Sequence, residues 1–328
     1  MHRSALVVLV VAACACAGAP KAATREVVFH GACDASGSVP LSDRQMVVAD
    51  DEDNILRRYD ADRGGPSLGG TDVSAQLNLP LKGKKHPKPR ELDLEAATRI
   101  GDRAYWLTSH GRNSKGEVAP ERLRLFATTL GADGDLRLIG TPYEHLVDDL
   151  LAVPALAAFD LAGAAALAPK APGGLNIEGL TALPDGRVLL AFRSPIPGGR
   201  ALVVPIENLA ELVDGGGPAR FGAPILLDLG GRGVRSLSWW RGRVLIIAGH
   251  SASGGASALY TWDVAGARAT PVDVAIAAYN PEGFFTPDDR DQILLLSDDG
   301  ERALGGIACK KLKDPTQRRF RGLWLALP

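Results

Sequence analysis

The chain has 328 residues but only four cysteines, Cys14, Cys16, Cys33 and Cys309, with no Cys-x-x-Cys pair and no Cys/His spacing that would hold zinc. Net charge is missing too. Lys and Arg number 37 against 38 Asp and Glu, which leaves −1. No global field therefore favours nucleic acid or an anionic membrane surface. Two basic stretches, KGKKHPKPR (82–90) and CKKLKDPTQRRFR (309–321), lack the interleaved aromatics of a base-stacking surface and read as solvated loops. No Walker or dinucleotide glycine pattern sits between a strand and a helix, which excludes the common nucleotide folds. VLIIAGHSASGG (244–255) imitates the strand–turn of a serine hydrolase, but Ser253 replaces the last glycine of the G-x-S-x-G pattern. No histidine follows His250, so a Ser251 triad in that order cannot be completed.

Long apolar runs are equally scarce. The N-terminal MHRSALVVLVVAACACAGAP has a basic start, an apolar run from Ala5 to Ala13 and then small residues. It is too short and too early for a spanning helix and reads as an export signal over 1–24. Two cleavage routes stand: a lipobox, VAAC (11–14), that makes Cys14 the lipidated first residue, or ordinary cleavage after Ala17 or near Ala23. The expected destination is the periplasm or the outer membrane, with contact to lipid only through such an anchor. That compartment permits disulfides, so Cys33 and Cys309 are either paired or two separate buried thiols.

Helical periodicity is nearly absent. The exception is 143–169, where Leu146, Val147, Leu150 and Leu151 share a face and Pro154 should end or kink the helix. The rest, 25–328, reads as one domain of short apolar strands separated by turns, among them MVVAD, AYWLTS, RVLLAF, RVLIIAG and QILLLS.

Four stretches repeat one pattern: a polar motif, a short strand, a tight turn and a more apolar strand. They are LDLEAATRIGDRAYWLTSH (92–110), NIEGLTALPDGRVLLAFRSP (176–195), GRGVRSLSWWRGRVLIIAGH (231–250) and PEGFFTPDDRDQILLLSDDG (281–300). In register they align Glu95, Glu178, Arg235 and Glu282. Such self-similarity predicts an all-β fold, a β-propeller of about five four-stranded blades, with a sixth left open in 61–90 and a helical insertion near 143–169. The fifth blade lacks an outer strand, which EVVFHG (26–31) can supply; that closure removes an open sheet edge and brings Cys33 near Cys309.

With VVADDEDN and LDLGGRGVRSL, these motifs resemble a bacterial family of unknown function, domain-of-unknown-function family 3616. More distantly, the N-x-E-G and P-E-G stretches are similar to the esterase-like phytase propellers. The resemblance implies an exported β-propeller and brings no activity or catalytic residue with it.

In a blade the start of the first strand lies beside the end of the second. Glu95, Glu178 and Glu282 are thus expected on one face, at the channel mouth, with Arg112, Asn113, Arg193, His250 and Asp298. The longer loops lie on the same side, which makes it the expected functional face, with 143–172 as a covering lid. Three inward carboxylates repel unless compensated. Either Ca²⁺ is held by Glu95, Glu178 and Glu282, helped by Asn176, Asn280 and Asp93, or Arg235, Arg112 and Arg193 pair with them to join blades. His110, His250 and Arg193 are the candidate catalytic groups, although a lone strand-end histidine more often has a structural role. Asp50, Asp51, Glu52 and Asp53 read as a polar hairpin, with Asp50 a candidate ligand. The functional expectation is binding or metal-assisted hydrolysis of a small polar, ester or phosphoester ligand. The alternative is a non-catalytic envelope scaffold for a protein or glycan.

Overall fold

The computed structural model describes residues 24–131, 134–251 and 254–327; residues 1–23 of the expected export signal, Cys14 among them, and Ser253 lie outside them. Five antiparallel sheets of four strands follow one another around a central axis, the last extended by a two-residue parallel strand, Gly65–Pro66, beside Phe29 and His30. Blade 1 is built from Ala35–Pro40, Gln45–Asp50, Ile55–Asp60 and Gly69–Asp72, and blade 2 from Leu94–Ile100, Arg103–Thr108, Leu125–Thr129 and Leu138–Tyr143. Asn176–Ala182, Val188–Ser194, Ala201–Ile206 and Ile225–Leu227 form blade 3. Blade 4 comprises Gly233–Trp240, Arg243–Gly249, Ala258–Trp262 and Thr270–Val272.

Blade 5 takes three strands from the end of the chain, Pro281–Phe285, Gln292–Ser297 and Arg319–Ala326, and its fourth from the beginning, Thr24–His30. That first strand runs antiparallel to the last, from Thr24 opposite Leu325 to His30 opposite Arg319. The inner strands touch in the order 1, 2, 3, 4, 5 and back to 1, so the ring closes. No sixth blade is hidden in 61–90. That stretch supplies the outer strand of blade 1, the short Gly65–Pro66 strand beside blade 5, and a small hairpin, Leu81–Lys82 with Lys88–Pro89.

Burial explains why the repeats read as they do. Second strands are covered on both faces by neighbouring blades and are apolar almost throughout, as in Val188–Ser194; inner strands such as Ala35–Pro40 and Gly233–Trp240 mix in serines, and the outer strand Leu138–Tyr143 is half exposed. The turns between them are tight, and Gly186 and Gly242 occupy them at φ 89° and 82°, where a side chain would be strained. The main core is five clusters, one at each blade junction. Trp106 packs between blades 1 and 2, Trp262 between 3 and 4, Trp240 between 4 and 5, and Trp324 between 5 and 1. The fifth cluster, between blades 2 and 3, also buries Leu146, Leu150, Leu156 and Leu161 of the insertion. The insertion is a helix, Leu146–Ala152, then a 3-10 segment opened by Pro154 and a second helix, Leu161–Ala165. No helix among the described residues is long and apolar enough to cross a membrane.

Side-chain hydroxyls tie the inner strands together. Ser36 Oγ donates to Leu94 O across the junction of blades 1 and 2, and Thr98 Oγ1 accepts from Ala182 N across the next. Thr181 Oγ1 accepts from Trp239 N at 2.8 Å, Ser238 and Thr286 share a hydrogen bond, and Ser38 Oγ donates to Phe284 O. Every junction is stitched once. Cys33 and Cys309 form a disulfide with 5.9 Å between Cα atoms, beside the seam where the two ends of the chain pair.

Candidate functional site: the charged mouth of the channel

Four inner strands carry a β-bulge near their start, and the unpaired residue is the one the sequence repeats align. The ladder skips Glu95 between Leu94 and Ala96, Glu178 between Ile177 and Gly179, Arg235 between Val234 and Ser236, and Glu282 between Pro281 and Gly283. Blade 1 has an irregularity in the same place, between Ala35 and Ser38. A bulge re-aims a side chain out of the strict alternation of a strand, and here it does so once per blade. Glycines make room. A Cβ on Gly179 would lie 2.7 Å from Ala191 Cβ and 3.0 Å from Val234 Cγ1, and one on Gly249 would lie 2.4 Å from Arg235 Cδ.

The ring is divided by charge. On the side of blades 3 to 5, Glu178 Oε1 accepts from Asn176 Nδ2 at 2.6 Å and from Arg193 Nη1 at 2.7 Å. Arg235 lies between two glutamates: it is paired with Glu282, donates to Asn280 Oδ1, and its Nε is 3.8 Å from Glu178 Oε2. Asn280 Nδ2 in turn donates to Asp298 Oδ2 at 2.9 Å. Glu178, Arg235 and Glu282 are all buried. Burial pulls the Arg235 guanidinium below its ordinary value, offset chiefly by Glu178. The arginine pairing expected for Arg193 and Arg235 is what the side chains form.

Arg112 and Asn113 do not join it. Arg112 donates to Ala165 O and Gly116 O, holding the helical insertion to the end of blade 2, while Asn113 Nδ2 donates to Glu117. Asp93, placed by sequence beside Glu95, is held instead by Arg122 at 2.7 Å.

The side of blades 5, 1 and 2 is acidic and much less compensated. Asp34 is 3 % exposed, and its carboxyl is pushed up to about 9 by burial and then by Asp298 and Asp50. Asp51 is raised well above its ordinary value by burial, then by Glu95, Asp298 and Asp34, and its Oδ1 is enclosed without a hydrogen-bond partner. Burial and Glu178 raise Glu95 likewise, against the pull of Arg193 and Arg235. One carboxylate oxygen from each of Asp34, Asp51 and Glu52 lies within 4.8 Å of the others. Glu52 is also bound by Lys310 at 2.9 Å.

Asp50 organises this loop. Its carboxylate accepts from the backbone N–H groups of Cys33, Asp34 and Glu52 at 3.0, 3.2 and 3.0 Å. Burial and then Asp53 raise its carboxyl to about 6, against the pull of Arg57 and of the Cys33 and Asp34 N–H groups. A backbone bridge from Asp34 to Asp298 fixes the loop to blade 5. The 33–34 segment escapes sequence reasoning because it occurs once and has no counterpart in other blades. The only signal was a carboxylate adjoining a cysteine.

The two histidines differ. His110 is 2 % exposed, with Nδ1 2.8 Å from Thr108 O and Nε2 buried without a partner, and burial lowers it to about 4. It is therefore neutral at neutral pH and closed off from solvent. His250 is exposed, and its carbonyl accepts from Arg193 Nε at 3.1 Å.

Residues 140–278 match the family described as "Protein of unknown function (DUF3616)". This bears out, over that stretch, the resemblance read from the motifs. No curated protein matches the chain. Among solved structures, a glutaminyl cyclase from Myxococcus xanthus is similar at 12% identity, with 93% of this chain and 98% of that chain covered and a TM-score of 0.49. An aldose sugar dehydrogenase from Streptomyces coelicolor, in its PQQ-bound form, is similar at 14% identity, with 94% and 100% covered and a TM-score of 0.43. Likeness at this level carries neither activity over to this chain.

Proposed function

We propose that the channel mouth binds a hard divalent cation, with Ca²⁺ the best fit, between Asp34, Asp51 and Glu52, and there holds and hydrolyses a small polar ester or phosphoester. The observation that carries this reading is the burial of Asp34 and of Oδ1 of the half-buried Asp51, with no ion-pair partner for either among the described residues, beside further carboxylates. Unpaired buried carboxylates cost several kcal/mol unless they take up protons or a cation. Oxygens within 4.8 Å of one another suit an ion whose ligands lie at about 2.3–2.6 Å. The cation moves from Glu95, Glu178 and Glu282, the set expected from the repeats, because Arg193 and Arg235 already neutralise Glu178 and Glu282.

A bound cation would polarise a carbonyl or phosphoryl oxygen. Arg193, fixed by Glu178 and the His250 carbonyl, supports a second contact to the ligand's anionic oxygens. Glu95, whose carboxyl burial and Glu178 raise, is the group on this side suited to exchange a proton with the ligand.

The test is thermal unfolding of the protein in EDTA and then in millimolar Ca²⁺, Mg²⁺ or Mn²⁺, followed by a screen of p-nitrophenyl esters and phosphates. A rise in Tm that Asp34→Asn and Asp51→Asn abolish, with turnover lost in Arg193→Gln, is the expected result. No response to any divalent ion sinks the cation. A response without turnover leaves the ion as a prop for the long loops and favours a scaffold for an envelope protein or glycan.

A further inference from the structure

The opposite end of the channel holds a second chamber that the charged mouth does not use. Its volume is about 530 Å³, within the size range of small-molecule sites. It begins directly below the bulged ring, at Gly37, Ala96, Leu180 and Ser236, and opens between the tight turns on the far side. The loops there are short, as at Gly101 and Gly242, and the long loops lie at the other end.

We infer that this hydroxyl-lined chamber is a binding site for a neutral polyhydroxylated molecule, a sugar or cyclic polyol, separate from the charged mouth. Ser38, Thr98, Thr181, Ser236, Ser238 and Thr286 place at least one hydroxyl from every blade on its wall. The stitching bonds fix where these oxygens sit without exhausting them. Thr98 and Thr181 each accept a backbone N–H, which leaves their own protons to donate. Ser38 donates to Phe284 O, which leaves its lone pairs to accept, and the Ser238–Thr286 pair uses one of its two protons. The wall is thus a fixed array of both donors and acceptors, the complement of a molecule whose groups are themselves hydroxyls.

Charge argues the same way. Asp43, Arg99 and Asp288 are the charged residues on the wall. Arg99 is occupied by the carbonyls of Pro40, Leu41 and Gly101. An anion would meet two aspartates and no free cation. A cation would find no cluster of carboxylates to replace its water. A neutral polyol has no charge to desolvate and replaces its hydrogen bonds to water with bonds to the hydroxyl ring, while the half-buried Trp239 and the buried Phe284 and Leu180 supply apolar wall.

Saturation-transfer NMR and titration calorimetry on the whole protein in EDTA, with D-glucose, maltose and myo-inositol, test this directly. Saturable binding of at least one is expected, unchanged in Asp34→Asn and weakened tenfold or more in Thr98→Val/Thr181→Val. Thr181→Ser, which keeps the hydroxyl, should bind as the parent does. Thermal melts confirm that each variant is folded; should the double variant not fold, Thr181→Val against Thr181→Ser makes the same comparison. Absence of binding by all three probes at tens of millimolar overturns the inference. So does binding that the valine variants leave intact or that Asp34→Asn removes. Because EDTA is present throughout, a failed cation site at the mouth leaves this result unaffected.

Discussion

At the scale of single residues, the mouth contains two kinds of buried carboxylate. Glu178 and Glu282 share Arg193 and Arg235, whereas Asp34 and Asp51 have no ion-pair partner among the described residues. Replacing Arg235 by Met would leave Glu282 enclosed without its arginine while Glu178 keeps Arg193, and a loss of about 3–5 kcal/mol in denaturant unfolding is expected. The aspartates set the pH response. With its carboxyl raised to about 9, Asp34 keeps in the folded chain a proton that the unfolded chain has released above pH ~4. Its contribution is full at the acid end of that window and falls as pH rises, by about 1.4 kcal/mol per unit. His110, lowered to about 4, works the other way, with stability lost as pH falls from about 6.5 toward 4. In EDTA, Tm should therefore fall between pH 7 and 9, and Asp34→Asn should flatten that slope; an unchanged slope would contradict the Asp34 assignment. Glu178, Arg235 and Glu282 were legible because they recur at one register. Asp34 recurs nowhere, and its neighbours Asp50, Asp51 and Glu52 read as a polar hairpin, with Asp50 alone a candidate ligand, until the fold set them against Asp298.

At the scale of the strand, the repeated motif is a bulge with a glycine beside it. The glycine in N-x-E-G exists because Gly179 lies between Ala191 and Val234, where an added methyl has no room. Gly179→Ala should cost about 1–3 kcal/mol through overpacking and lower Tm without changing the cation response. The stitching hydroxyls make a second prediction. Thr181→Val removes the acceptor of the part-buried Trp239 N–H, and a loss of about 1–3 kcal/mol is expected from the orphaned donor. Both losses are read from chemical denaturation. The strands, their turns and the kink at Pro154 followed from pattern and turn chemistry. The bulges did not, because an extra residue in a ladder is defined only against its partner strand.

At the scale of the whole molecule, the fold is a ring closed by one strand and one covalent bond. The strand was legible, since blade 5 visibly lacked an outer member and 26–31 had the right pattern. Whether Cys33 and Cys309 were joined was not, because two distant cysteines carry no register until the ring is closed. The disulfide spans a sequence separation of 276 residues. Chain entropy alone assigns such a link about 5 kcal/mol. Reduction under native conditions should lower the denaturation midpoint by a corresponding margin, and the Cys33→Ser/Cys309→Ser pair should match the reduced protein.

The seam also determines how the molecule responds to tension. Thr24 and Leu325 face each other at one end of the final strand pair, so a pull on the two ends opens that pair one rung at a time, like a zip. The opening runs from Thr24 to His30 and then meets Cys33, tied to Cys309. Beyond that point the load passes through the sulfur bridge, and the 276-residue span between the cysteines is shielded from it. In an optical trap the oxidised chain should lengthen by one short step and then stiffen, and only the reduced chain should unravel blade by blade.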